Sequence, residues 1–583
     1  MTKSMQKLFI SLFISLFASG IFSILCISFS FDISLFAFPL CTAFTVFCFY
    51  KSYSLQKTED IKFVPIVRKL LQYLPYVLLA AFVIRRAGKN GTPAWYDVLT
   101  VFLWCIVFIF SIVALYFLNE KRLYSLNSDW KSDSKKNQQK KLRGLRRFSF
   151  EALDWIDAIV QAVFMVLLIQ IFIVQLYMIP SESMVPKFLI GDRVVVFKTA
   201  SGPKFPLSNV GLPCLKNYKR GDVVVFRNPH YSIDRKSEIK TVTSQLVYML
   251  TLMMVNINKD ENGNPKADPL VKHITGLPGE QLVMQDGILY ARTKDSKNFV
   301  PVEEDKSFAA WNLNELDSNT KRRIANIPLS QSQYDVLLQV EDERRNLDLE
   351  AMATEAQNLS AKFKQLVEQR RGVQSAETEN IFDKNELQAY MLFRNYESLT
   401  QRLITSRTGV SWFSSFLTSW IPHIPKACYA GGDIYNDANY RLNVMIKLCI
   451  GRLVVRNAEL LFSNAPLASK SSDVQILEYL ENAQKLDFYV RVLDQRNMPI
   501  FPANEADGSA CYIPDDCYFM MGDNRFNSAD MRHSYNSTLT NLTTLDPYSV
   551  TYYSYISPQY VNKKYILGKP VFRLWPLTRI GKI

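Results

Sequence analysis

The sequence predicts a multi-span α-helical membrane region followed by a mostly β domain that carries a large helical insertion. Three observations lead to this reading. The first 180 residues are dominated by long apolar runs. After them come short β-branched runs separated by turn residues, the texture of an all-β domain. Those runs are interrupted by a charged, Gly-poor stretch with helical periodicity. Composition agrees: 48% of the 583 residues are apolar and 13% aromatic, which excludes disorder as the main state. With 21 Gly and 25 Pro, a collagen-like chain is excluded as well.

The run from about Leu8 to Tyr50 exceeds one span and is broken near Asp32, which predicts a helical hairpin. A third candidate span, about Leu70 to Ile84, is short and holds Pro75. The fourth, Val98 to Leu118, is clear, and the fifth, about Ile156 to Ile179, is almost uniformly apolar. The N-terminal run reads as an anchor rather than a cleaved signal peptide, because it continues into further spans.

Charge orients these spans. The chain has 68 Lys+Arg against 54 Asp+Glu, a net +14. In Glu120–Arg147 ten basic residues face three acidic ones, so half of the net charge lies in one loop between spans. Reading that loop as cytoplasmic puts everything after Ile179 on the extracytoplasmic side, either with five spans and the N-terminus inside or with an interfacial third segment, four spans and the N-terminus outside. It also removes nucleic-acid binding as the explanation of the basic balance. Arg85, Arg86 and Lys89 dissent, since five spans place them on the outer side.

Strands are expected at Arg193–Lys198, Asp222–Arg227, Gln281–Tyr290, Tyr518–Gly522 and Tyr565–Arg573. Ser237–Pro269 interrupts them with the apolar run Leu246–Val255, an interfacial or buried helix. A second interruption, Asn312–Arg407, has helical periodicity through Tyr334–Phe363 and Glu377–Leu403. Trp412–Pro425 is aromatic-rich and reads as insertion core or as a membrane-surface contact. The resulting division is 1–150 for the first four spans and basic loop, 151–180 for an anchor helix, 181–300 and 506–583 for two parts of the β domain, and 301–505 for the insertion. Of nine cysteines, Cys511 and Cys517 are the one close pair, either bonded or free.

Chemistry concentrates in four places. MIPSESMVPKFLIGD (Met178–Asp192) sets Ser181 and Ser183 two residues apart just beyond the fifth span. In an extended segment both hydroxyls point the same way, one to attack a carbonyl and one to donate to the oxyanion. A plain turn with serines as local caps is the structural alternative. KRGDVVVF (Lys219–Phe226) is followed by VKHITGLPGE (Val271–Glu280), where Lys272 sits among apolar neighbours. Desolvation lowers an ammonium pKa, so a buried Lys272 near a serine suits a general base, whereas an exposed strand-end lysine does nothing chemical. MGDNRFNSADMR (Met521–Arg532) packs polar residues around Gly522 and Ala529, either bracing a site or forming a solvated turn.

In order and residue type these pieces resemble type I signal peptidases, membrane-bound Ser/Lys endopeptidases that remove signal peptides from exported preproteins. LGKPVFRLWP (Leu567–Pro576) and Arg579–Gly581 resemble the family's closing strand. The resemblance covers 177–198, 218–229, 269–290, 518–532 and 565–581. It implies a signal-peptidase-like β fold for an extracytoplasmic catalytic domain, held in the cytoplasmic (inner) membrane by several spans. It implies Ser183 as nucleophile, Lys272 as general base, and an oxyanion hole of the Ser181 hydroxyl and Ser183 N–H. Ser528 would orient the Lys272 amine. Asp523, Arg525, Asp530 and Arg532 would hold the loop, the last two as an ion pair. Tyr177, Ile179, Pro180, Met184 and Val271 would wall pockets for small substrate side chains. The sequence departs from the family pattern in His273 for Arg, Lys187 for Thr, Glu280 for Asp and Met531 for Ser, and in its extra spans and insertion. None of these removes a catalytic group.

The expected partners are exported preproteins, the lipid bilayer and export machinery, without nucleic acid. No metal or organic cofactor is implied, since the four histidines have no ligand spacing. The competing function is a membrane scaffold or export-associated protein that retains the peptidase fold.

Overall fold

The structure is a computed structural model that describes residues 2–89, 91–126, 145–231, 235–251, 255, 257, 259, 266–296, 298–371, 382–424, 433–463 and 472–583. Most of the basic stretch 120–147, Cys428 and the start of the periodic segment Glu377–Leu403 lie outside the described residues.

Among the described residues, five helices are long and apolar enough to cross a membrane. They are α1 (Lys3–Leu25), α2 (Ala37–Thr58), α3 (Phe63–Ala87), α4 (Ala94–Phe117) and α5 (Leu145–Phe172). The third span is longer than its most apolar stretch: α3 runs straight through Pro75, and Val64 and Val67 extend its buried face. Its 25 residues reach about 37 Å, ample for a bilayer. The bundle core includes Leu12, Phe22, Leu71, Leu74, Trp104 and Val107. Small hydroxyl residues inside it pair across helices, Ser15 with Ser111 at 3.0 Å and Ser19 with Thr45 at 2.7 Å. Such pairs satisfy polar groups that lipid cannot.

The fifth span is corrected at its end. It was expected to run to Ile179, but the helix stops at Phe172 and Val174–Met178 forms strand β1. An apolar run does not itself distinguish helix from strand. What decides here is that the helix's last carbonyls are taken: Lys198 Nζ donates to Gln170 O at 3.0 Å and Thr199 Oγ1 to Phe172 O at 2.9 Å. The chain then pairs antiparallel with β2 (Arg193–Phe197), Val174 opposite Phe197.

The remaining strands are β3 (Val223–Phe226), β4 (Leu270–Gly276), β5 (Glu280–Gln285), β6 (Ile288–Thr293), β7 (Val300–Pro301), β8 (Met498–Phe501), β9 (Cys517–Met521), β10 (His533–Asn541), β11 (Thr551–Ile556), β12 (Val561–Asn562), β13 (Ile566–Trp575) and β14 (Gly581–Lys582). One antiparallel sheet has the order β1-β2-β13-β3-β4-β9-β12, with β14 on β13. A second has the order β7-β6-β5-β8. The expected strand Gln281–Tyr290 is instead the β5–β6 hairpin. Asp286 and Gly287 both take positive φ, 54° and 75°, the two-residue turn that an Asp-Gly pair favours. The β10–β11 hairpin was not anticipated, because its Asn, Ser and Thr give no apolar alternation.

Helices fill the chain between β7 and β8, well past Arg407. With α6 (Arg235–Leu250) lying earlier, between β3 and β4, the longer ones are α7 (Gln331–Arg345), α8 (Leu349–Arg371), α9 (Tyr396–Thr405), α10 (Gly409–Thr418), α11 (Ile434–Phe462) and α12 (Val474–Arg491). Trp412, Phe416 and Trp420 are buried in their shared core, so this aromatic stretch is core and not a membrane contact. α11 is buried nearly all round, and its Lys447 is charge-paired with Asp546 of the β10–β11 connection. Cys511 and Cys517 are both free thiols.

The β2–β3 connection ties the two regions together. Phe205 packs edge-on against Trp104 and Phe172, at 5.3 and 4.9 Å between ring centres. Arg86 donates to Leu207 O at 2.7 Å and pairs with Asp97, which also accepts from Ser208 Oγ. Arg86 therefore lies at the β-domain end of the bundle with its charge paired by Asp97.

Candidate active site

Ser183 follows β1 in a turn rather than in extended chain, which corrects the expectation for the Ser181–Ser183 segment. Val185 N–H donates to Glu182 O and Phe188 N–H to Met184 O. The turn still brings the hydroxyls together, Ser181 Oγ to Ser183 Oγ at 3.4 Å. Behind it, Asp192 accepts from the Leu189 N–H at 3.0 Å and from Arg579 at 2.8 Å. The C-terminal segment thus pins the loop that carries the serine.

Lys272 lies on the central strand β4, opposite Val224 of β3, and is 2% exposed. Its Nζ is 2.5 Å from Ser183 Oγ. Burial pushes the ammonium down to about 8, against the opposing pull of Asp530 and Asp523. β4 brings the lysine, and the turn after β1 brings the serine, from 89 residues apart.

The loop after β9 braces both. Asp530 and Arg532, fully buried, form a two-pronged ion pair at 2.8 and 3.0 Å. Burial alone would raise the Asp530 carboxyl, but Arg532 holds it well below the usual carboxylate range. Asp530 also accepts the Gly522 N–H at 2.9 Å. A side chain at Gly522 would collide with Ser528 Oγ and the Ser183 carbonyl, so only glycine allows this approach. Asp523 pairs with His273, which stacks on Phe308 at 4.3 Å. Arg525 pairs with Asp305 at 2.6 Å.

Ser528 makes no hydrogen bond to the lysine amine. Its Oγ is buried beside Gly522 and has no hydrogen-bond partner. Of the pocket residues, Ile179 and Met184 are buried with Val194 and Val223 in one apolar cluster, against which Tyr177 and Val271 pack half-buried. Pro180 is exposed.

Sequence reasoning missed Asn524, whose N–H donates to Ser183 O at 3.2 Å and whose Nδ2 donates to Glu182 O at 3.2 Å. It lies inside the quoted motif, where its position between Asp523 and Arg525 was the available signal. Asp305, Phe308 and Glu182 were also missed. The first two sit at the insertion's start, where nothing local marks them, and Glu182 accepts the Ala325 N–H at 2.5 Å.

The fold and site define a class: an antiparallel β domain that follows helices of membrane-spanning length and sets a serine hydroxyl against a buried lysine. Residues 152–346 match the family described as signal peptidase, peptidase S26. This segment of the chain is similar to that family. The chain is 42% identical to "Signal peptidase I" of Buchnera aphidicola (subsp. Schizaphis graminum) over 71 residues, 12% of this chain and 23% of the relative. It is 30% identical to that of Buchnera aphidicola (subsp. Acyrthosiphon pisum) over 135 residues, 23% of this chain and 42% of the relative. Against "Signal peptidase I" of Bacillus licheniformis it is 27% identical over 141 residues, 24% of this chain and 50% of the relative. The chain thus spans between about a fifth and a half of the length of the curated relatives it matches. No solved structure matches it.

Proposed function

We propose that this chain is a signal peptidase: a serine endopeptidase that cleaves signal peptides from exported preproteins after small residues at −1 and −3. The observation that carries the reading is the 2.5 Å approach of Ser183 Oγ to the buried Lys272 amine. Removed from water, a lysine with its pKa lowered to about 8 has a neutral fraction of about a fifth near pH 7.4, far more than an exposed lysine, and that fraction accepts a proton. Ser183 Oγ attacks the scissile carbonyl as Lys272 takes its proton, and the oxyanion is held by the Ser181 hydroxyl and the Ser183 N–H. Lys272 then protonates the leaving amine. In the second half it deprotonates water, which hydrolyses the acyl-enzyme.

Ile179 and Met184, buried in one apolar cluster with Tyr177 and Val271 packed on it, support the small-residue preference, since bulky walls leave little volume for a substrate side chain, whereas Pro180 is exposed. Asp523, Arg525, Asp530 and Arg532 act by holding the loop. Ser528, having no bond to Lys272, is assigned at most a packing role next to Gly522. The catalytic domain is placed on the extracytoplasmic face of the cytoplasmic membrane, and a reporter fused after Lys141 should score as cytoplasmic.

The test is processing of a preprotein by the full chain in detergent, with the cut mapped by mass. Wild type should cleave after a small residue, and Ser183→Ala and Lys272→Ala should each lose about a thousandfold or more. Normal cleavage by both variants would overturn the mechanism.

A further inference from the structure

A cavity of about 700 Å³ lies between α3, α5, α6, the β2–β3 connection and the β domain. Neither Ser183 nor Lys272 is among its lining residues, so it is not part of the candidate active site. Its walls are of two kinds. Leu79 and Val83 of α3 and Leu167 and Ile171 of α5 make an apolar wall, all four toward the β-domain ends of their helices. The lining stretch of α3, from Tyr76 to Ile84, rises about 12 Å. That is most of the hydrocarbon depth of one leaflet, about 15 Å. Only 6% of the apolar window of α5 is buried within the protein, against 56% for α3, so helix surface that faces lipid flanks the gap between them.

Beyond the helix ends the lining turns cationic. Lys198, Lys204, Arg227 and Lys564 stand against two carboxylates, Glu238 and Asp268. Both carboxylates flank Arg227, at 4.0 and 3.8 Å. Among the described residues none of the three lysines is ion-paired. Lys198 donates to the neutral oxygens of Gln170 and Gln175, at 3.0 Å each, and Lys564 lies over the Tyr565 ring at 5.0 Å. Burial, and next the charge of Lys564, holds Lys204 below the usual lysine range. The Tyr177 hydroxyl, also in the lining, is buried with no hydrogen-bond partner among the described residues.

We propose that this cavity binds one anionic phospholipid from the leaflet next to the β domain, with an acyl chain against α3 and α5 and the phosphate among Lys198, Lys204 and Lys564. Charge selects the occupant. An apolar cleft between spans that ends in uncompensated cations is the chemistry that recognises an acidic head group. A zwitterionic lipid with the same chains matches the helix wall alone, and free phosphate matches the lysines alone. Lys204 directly precedes Phe205, whose ring packs on Trp104 and Phe172, so the bound lipid also ties the β2–β3 connection to the spans.

The test uses the full-length chain, stripped of lipid in a neutral detergent. It is titrated with phosphatidylglycerol and with phosphatidylcholine of the same acyl chains, and bound lipid is counted by native mass spectrometry. One phosphatidylglycerol should bind, about tenfold or more tighter than phosphatidylcholine. Lys204→Ala combined with Lys564→Ala should weaken phosphatidylglycerol about tenfold or more and leave phosphatidylcholine within about twofold. The lipid-free melting midpoint of that variant should match wild type, because neither lysine loses an ion pair, and the match reports that the variant folds. Ala80→Trp, which fills the apolar wall, should weaken both lipids. Equal affinity for the two lipids, phosphatidylglycerol binding unaffected by the lysine variant, or inorganic phosphate binding as tightly as phosphatidylglycerol would each overturn the inference.

Discussion

At the scale of single residues, the proposed chemistry turns on the protonation of Lys272. Burial disfavours its charged form and places its pKa near 8. With the neutral amine proposed as the base, kcat/KM should rise with pH and level off above about 8, and a profile flat from pH 6 to 10 would contradict the assignment. Lys272→Arg should be as inactive as Lys272→Ala, since a guanidinium stays charged over this range. Ser528→Ala should cost far less than either, because the Ser528 hydroxyl bonds nothing. The identities of Ser183 and Lys272 were legible in the sequence because each sits in a short, distinctive motif. Their separation was not, since a turn and a strand 89 residues apart meet only through sheet pairing. His273 shows the same boundary: its presence was readable, but its pairing with Asp523 and its stacking on Phe308 were not.

At the scale of elements, the serine turn is held from three directions. The loop after β9 reaches it through Asn524, the C-terminal segment through Arg579, and the start of the insertion through Ala325 and Leu313. Leu313 is buried with Val185 and Leu189, and Ile324 and Ile327 pack on them. The insertion is therefore coupled to the site, and deleting Asn312–Arg407 should abolish processing rather than leave it intact. Wild-type cleavage by that deletion would show the coupling to be dispensable. Asn524→Ala should lower kcat about ten- to a hundredfold with little change in KM, as expected when a nucleophile is misplaced without losing substrate contacts. Asp305→Ala leaves the buried Arg525 unpaired and should cost about 3–5 kcal/mol, read as a lower denaturation midpoint. The ends of elements were the least readable feature. The anchor helix runs into β1 without any change in hydrophobicity, and only the capping of its carbonyls by Lys198 and Thr199 marks the break.

At the scale of the whole molecule, the spans and the β domain are joined by the β2–β3 connection. Arg86→Ala removes the partner of Asp97 and a donor to Leu207, and should lower stability by about 1–3 kcal/mol. Thermal unfolding in detergent would measure this, and an unchanged midpoint would mean the connection contributes nothing to the joint.

By itself, the sequence determined that the chain is a membrane protein with several spans, that a mostly β domain follows, and that serine and lysine motifs of a signal-peptidase kind are present. These properties are written in local hydropathy, charge and short motifs. The tertiary structure alone decided that the serine meets the lysine out of water and that the insertion props the serine turn. It alone decided, too, that α3 and α5 frame a cavity against the β domain. Each of these depends on contacts between segments far apart in the chain, and no local pattern encodes which surfaces pack together.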